Sequence, residues 1–192
     1  TQRSEGEAKR MQLRDLVEQA GRGDHEAFEA VVHASAGRLY AIAYRILRDA
    51  DLANDALQEA LVKVWDDLPA LRDPDRFDAW AARITCRCCY RLAKHERHFA
   101  LPMPRQPEPD TTAFVGEVAD QDEMERGFRH LSPEHRAVLV LHYYLGLTLG
   151  EIADTLDISP GTVGSRLHYA VRSLRAALES EARTTEAWEG PA

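Results

Sequence analysis

Thr162, Ser165, Arg166, Tyr169 and Arg172 recur at helical spacing, which sets hydrogen-bond donors and one ring on a single helix face. These groups suit the phosphates and base edges of a DNA major groove rather than bond-making chemistry. A second set, Arg83, Arg87, Arg91, Lys94 and His98, forms a basic strip with Trp80 at its boundary. That pattern fits a nucleic-acid backbone and unstacked bases. A third set, Asp55, Gln58, Glu59, Lys63 and Asp66, makes the polar face of an amphipathic helix and by itself reads as a solvated surface. Cys86 and Cys89 lie one turn apart and are expected to point away from their helix's apolar stripe, open to a metal or an oxidant; Cys88 falls on the stripe. A four-ligand zinc site shows two paired spacings, and here only His95 and His98 are at hand, so no metal and no cofactor are assigned.

The elements that position these residues are helices. Thr148 and Glu151 stand in capping-box spacing, and Ser159-Pro160 is a second helix start, so residues 148–163 read as helix, tight turn at Asp157 to Ser159, and helix continuing to about Leu178. Ile152, Ala153, Leu156, Ile158, Val163 and Leu167 are expected to pack the two helices together. Upstream, Ser132-Pro133 caps a helix holding Ala137, Val138, Leu141 and Tyr144 that ends at Leu145-Gly146. The basic strip belongs to a helix from Phe77 to about His98, whose apolar stripe is Phe77, Ala81, Ile84, Cys88 and Leu92. The loop Arg72 to Arg76 leads into it. A helix from Asp51 to Leu68 is expected to bury Leu52, Ala56, Leu57, Ala60, Leu61 and Val64, and Asp24 caps another that holds Phe28, Val31, Leu39 and Ile46. Leu13, Leu16, Val17 and Ala20 mark a first helix, closed by Gly21 to Gly23.

No alternating strand pattern occurs, so the fold class is all-α, with two small helical domains joined by a flexible linker. The expected limits are a disordered start over 1–11, a first domain over 12–98, an acidic, proline-containing linker over 99–120, a second domain over 121–179 and an acidic tail over 180–192. The 192 residues carry a net charge of −8, which argues against indiscriminate coating of nucleic acid. The polar start lacks a signal peptide's apolar core, and no apolar run nears the roughly 18 residues of a membrane span, so a cytoplasmic chain without membrane insertion is expected. Three cysteines within four positions are no disulfide framework. Walker loop, His-Glu-x-x-His helix and dinucleotide glycine turn are all missing, which leaves an enzyme the weakest reading.

The run Asp51–Trp65, DLANDALQEALVKVW, resembles region 2.2 of bacterial sigma factors, and Phe77–Ile84, FDAWAARI, resembles their region 2.3. Leu131–Leu139, Leu149–Ala153 and Gly161–His168 resemble region 4, and together these motifs are similar to the extracytoplasmic-function sigma factors. The resemblance implies an alternative sigma factor that binds core RNA polymerase through the β′ clamp and β flap, recognises the −35 and −10 promoter elements and promotes melting. It implies that Asp55, Gln58 and Glu59 contact polymerase, which reverses the solvated-surface reading of that face. Arg72, Asp73, Arg76, Arg83, Arg87, Arg91 and Lys94 would meet the −10 element, and His142, Thr162, Ser165, Arg166, His168 and Tyr169 the −35 element. Trp80 is read mainly as core, promoter DNA is the second partner, and a dedicated anti-sigma factor is a third.

Departures at four positions affect DNA contact. Gly164 replaces a common Lys or Arg, Tyr169 and Val171 stand where Arg is frequent, and Arg87 occupies a usual Asn position. An alternative reading is a free-standing DNA-binding regulator, or an anti-sigma-like module that docks on polymerase without melting DNA.

Overall fold

The computed structural model describes residues 2–99 and 127–188, with side-chain surroundings for 11–97 and 127–176. Every regular element among the described residues is helical. The chain divides into two compact units, Thr1–Leu92 and Ala93–Ala192.

In the first unit, α1 (Gln2–Ala20) packs on α2 (His25–Leu47), and α2 on α3 (Ala50–Asp67). A capping residue opens each of the last two: the Asp24 carboxylate accepts from the Glu26 and Ala27 N–H groups at 3.0 and 3.1 Å, and Asp49 accepts from Leu52 N–H at 3.0 Å. Arg48 closes α2 in the left-handed region, φ 56°, where its N–H reaches the Tyr44 carbonyl. The face that α3 buries is made of small residues, Ala53, Ala56, Ala60 and Val64, whereas Leu52, Leu57 and Leu61 are only half-buried. Alanines at this spacing let the α2 and α3 backbones approach closely, and the leucines then flank the seam instead of filling it. Helix α1 starts at Gln2, inside the stretch expected to be a disordered lead-in; the segment from Ser4 to Gln12 is rich in Glu, Ala, Lys, Arg and Met, all strong helix formers.

Two tight 3-10 turns, Leu68–Ala70 and Pro74–Arg76, carry the chain to α4 (Phe77–Phe99). Arg14 on α1 pairs with Asp75 at 3.4 Å, and Arg38 on α2 holds both Asp78 oxygens, so the start of α4 is tied to two earlier helices. Helix α4 buries far more than one stripe: Phe77, Ala81, Ala82, Thr85, Cys86, Cys88, Cys89, Tyr90 and Ala93 are enclosed, and Ile84 is half-buried.

In the second unit, α5 (Pro133–Leu139) follows the Ser132 cap. It widens over Val140–Tyr144 into a turn closed by Leu145 N–H to the Val140 carbonyl, 3.1 Å. The wider turn, with Gly146 at φ +68°, leaves Tyr143 and Tyr144 exposed and returns Leu147 to the core. Then come α6 (Leu149–Leu156) and α7 (Pro160–Trp188). Helix α7 continues past the expected end near Leu178 because Glu, Ala and Arg make up more than half of residues 179–188 and no glycine or proline intervenes before Gly190 and Pro191. The greater part of the expected linker, from residue 100 on, and the closing residues 189–192 lie outside the described residues.

Candidate nucleic-acid interface

Local hydrogen bonds build the two-helix unit of α6 and α7. The Thr148 hydroxyl accepts from Glu151 N–H at 3.3 Å while the Glu151 carboxylate accepts from Thr148 N–H at 2.9 Å. That completed capping box satisfies two otherwise orphan donors. The turn is Asp157, held at φ 54°, with Ile158 N–H donating to the Ala153 carbonyl at 3.1 Å. Aspartate tolerates this left-handed conformation better than most residues. Ser159 then caps α7, accepting from Thr162 N–H at 3.1 Å, so Thr162 is partly spent on the cap. Ile152, Ala153, Leu156 and Val163 are buried as expected, Ile158 and Leu167 only half-buried. Ala170 is a further core residue, one heptad after Val163.

The outward face of α7 carries Ser165, His168, Tyr169 and Arg172, all exposed, with Thr162 and Arg166 half-buried beside them. His142 does not belong to this helix. It sits in the widened turn, half-buried, with Nδ1 2.8 Å from the Leu147 carbonyl oxygen and its ring edge-on to Tyr143. Gly164 has open space around it: an added Cβ would meet nothing within 4 Å, so no packing inside the protein demands glycine.

Behind this face lies a support that sequence reading missed. The His135 ring pairs with the Tyr169 ring, centroids 4.6 Å apart, and its Nδ1 lies 2.8 Å from the Ser132 hydroxyl. The signal was present as a histidine three residues after a Ser-Pro helix start. Burial would raise the Glu134 carboxyl, but hydrogen bonds from Ser132 and its own backbone, with the Arg97 and Arg166 cations, hold it below the usual range. Burial also lowers His135, against the opposing pull of Glu134. Both shifts have the same sign in linkage: the unfolded chain binds these protons more strongly, so their contribution is whole above the unfolded pKa and is lost as pH falls through the folded one. Stability should therefore decline below the normal histidine range and again below the normal carboxylate range, with Glu134→Gln flattening the second decline. Urea midpoints across that pH range check this; a midpoint that rises on acidification contradicts it.

On the first unit, Arg72, Asp73 and Arg76 are exposed in the loop before α4. Asp73 accepts from Asp75 N–H at 3.1 Å and pairs with Arg76 at 3.3 Å, so it shapes the turn. Along α4, Arg83 is half-buried and Arg87 and Arg91 are exposed; Lys94, exposed one turn farther on, falls past Leu92 and so in the second unit. Trp80 is half-buried, its ring 6.1 Å from that of Phe77. On α3, Asp55 and Gln58 are exposed and Glu59 is half-buried. The Arg91 guanidinium donates to the Glu59 carboxylate, which brings together residues expected to serve different partners.

The cysteine expectation is overturned. Cys86 and Cys89 are fully buried along with Cys88, because α4 is enclosed beyond a single stripe. Burial pushes Cys86 up to about 12 and drives Cys88 and Cys89 upward too. No group of three or more metal-ligating side chains occurs among the described residues. A thiol reagent at mildly alkaline pH should leave all three cysteines of the folded chain unmodified and label all three in denaturant; rapid labelling of the folded chain would contradict the burial.

Residues 31–99 match the Sigma-70 region 2 family and residues 127–176 the Sigma-70, region 4 family. The chain is 32% identical over 168 residues to the ECF RNA polymerase sigma factor SigL of Mycobacterium tuberculosis, covering 85% of this chain and 95% of the relative. It is 26% identical to SigW of Bacillus subtilis, covering 86% and 96%. Among solved structures, CnrH in complex with the cytosolic domain of CnrY superposes with TM-score 0.54 at 25% identity, covering 88% of this chain and 98% of that one. The sigma factor RpoE with the anti-sigma factor NepR from Bartonella quintana superposes with TM-score 0.55 at 20% identity, covering 79% and 96%. No described helix is long and apolar enough to cross a membrane.

Proposed function

The chain belongs to the extracytoplasmic-function RNA polymerase sigma factors, and from that premise we propose how its residues divide the work of starting transcription. As an alternative sigma factor it serves promoter recognition and transcription initiation. In our assignment residues 12–98 form the domain that docks on polymerase and holds the opened −10 element, residues 99–120 are the linker, and residues 121–179 read the −35 element. The observation that carries the assignment is the outward face of α7, where Ser165, His168, Tyr169 and Arg172 are exposed on the second helix of a capped helix-turn-helix. That helix lies in the −35 major groove, Arg166 and Ser165 addressing base edges and Arg172 the backbone.

Helix α4 and its leading loop take the −10 element. Arg87, Arg91 and Lys94 follow the phosphates of the non-template strand, with Arg72 and Arg76 at the edge of the opened bases. Binding energy gained only with unstacked bases shifts the equilibrium from duplex to melted promoter. Asp73 and His142 contribute by shaping their turns, and Thr162 by completing the α7 cap. Polymerase is engaged by Asp55, Gln58 and Glu59 at the β′ clamp and by the second domain at the β flap. The chain itself makes and breaks no bond and acts in the cytoplasm, where polymerase is. An anti-sigma factor is the third partner, in keeping with RpoE having been solved with NepR and CnrH with the cytosolic domain of CnrY.

A net charge of −8 supports this division, since a factor with little general affinity for DNA reads promoters only when docked. Asp55→Asn and Gln58→Ala should each weaken binding of the full chain to core polymerase by about fivefold, the scale of a charged or polar contact at an interface rim. Undiminished affinity in both would remove α3 from the docking surface.

A further inference from the structure

Glu59 and Arg91 are assigned above to polymerase and to DNA, yet in the free chain they hold each other. The carboxylate on α3 accepts from the guanidinium on α4, and the two side chains are 42% and 50% exposed. Both ends are therefore within reach of a larger partner. We propose that this ion pair gates DNA binding by polymerase docking: Glu59 occupies Arg91 until the polymerase takes Glu59, and Arg91 then turns to the phosphate backbone of the opened strand. The inference rests on the preceding assignment of Glu59 and Arg91.

The chemistry follows from the donor. A guanidinium presents its N–H groups as a fixed fork, and carboxylate and phosphate oxygens compete for the same edge. The pair opens by exchange of one anion for another at the guanidinium. Arg87 and Lys94 stand one turn to either side of Arg91 on α4, while Asp55 and Lys63 stand one turn to either side of Glu59 on α3. With the pair closed, the charge of Arg91 is balanced by Glu59. With it open, the Arg91 fork is offered to a phosphate. If both ligands must open the pair, each lowers the other's cost by the same factor. An exposed ion pair supports a factor of about two to five.

The test uses the full chain and a fluorescent, mixed-sequence single-stranded DNA of about 20 nucleotides at low salt, read by anisotropy. Glu59→Gln should tighten binding by the free chain about two- to fivefold beyond the gain from Asp55→Asn, which removes the same charge one turn away. Arg91→Gln should weaken binding and abolish the extra gain in the double variant. An E59Q gain equal to that of D55N, or one that persists in the R91Q background, overturns the gate. The same DNA is then presented to the polymerase-bound chain. If R91Q weakens that complex while the cycle in the free chain is additive, the gate falls and the promoter assignment stands. If R91Q changes neither complex, Arg91 is no DNA contact, and assignment and gate fall together.

Discussion

Replacing Arg166 with alanine is expected to lower discrimination at one −35 base pair by about 1–3 kcal/mol, roughly five- to 150-fold, while leaving preference at the −10 element intact. Arg166 is half-buried on α7, and its charge acts on Glu134 and His135 behind the outward face. A guanidinium held that way reads a base edge bidentately at little cost in side-chain order. Arg172, farther along the helix and exposed, should behave differently: its alanine variant should weaken all promoters about equally and reduce the salt dependence of binding. Competition between promoters with single −35 changes, measured on polymerase carrying each variant, separates the two effects. An unchanged −35 preference in Arg166→Ala would take that residue out of base readout.

A larger change in stability is expected from Phe77→Ala, about 3–5 kcal/mol. Phe77 is 1% exposed, opens α4 and donates its N–H to the Pro74 carbonyl, so it joins the loop bearing Arg72 and Arg76 to the helix bearing the basic strip. Domains are stable by only about 5–15 kcal/mol, and losing this ring would leave the first unit marginal. Promoter opening and polymerase docking should then fail together, because α3 and α4 as far as Leu92 belong to that unit. Val62→Ala, at a 61% exposed site on α3, should stay within about 0.5 kcal/mol of the parent. Urea unfolding followed by tryptophan fluorescence distinguishes them, and a Phe77→Ala midpoint near that of Val62→Ala would show that the ring carries no structural weight.

What could be read from the sequence was set by range. Asp24, Ser132, Thr148 with Glu151, and Ser159 act within three residues of themselves, so residue type and spacing placed those helix starts correctly. The all-α class and the helix-turn-helix followed from the same local signals. Spacing could not tell how many sides of α4 are covered, and the single-stripe reading left Cys86 and Cys89 outside when both are enclosed. Nor did hydrophobicity reveal that α3 packs through alanines while its leucines flank the seam. The widened turn at Val140–Tyr144 leaves no mark in periodicity, and the reach of α1 and α7 depends on helix formers whose pattern is polar. Among the site residues, Asp73, Thr162 and His142 were legible as polar groups in the right motifs, but their hydrogen bonds to the backbone appear only in three dimensions. The Glu59–Arg91 pair spans 32 positions and links two motifs read separately.

The most direct test of the account is transcription in vitro by core RNA polymerase on the source organism's DNA, with and without this chain, mapping the 5′ ends of the products. The account predicts new start sites that share two upstream elements at a constant spacing, lost on Asp55→Asn, Gln58→Ala double substitution and altered in −35 preference by Arg166→Ala. Polymerase binding without any new start site would contradict it and leave a chain that docks without opening promoters.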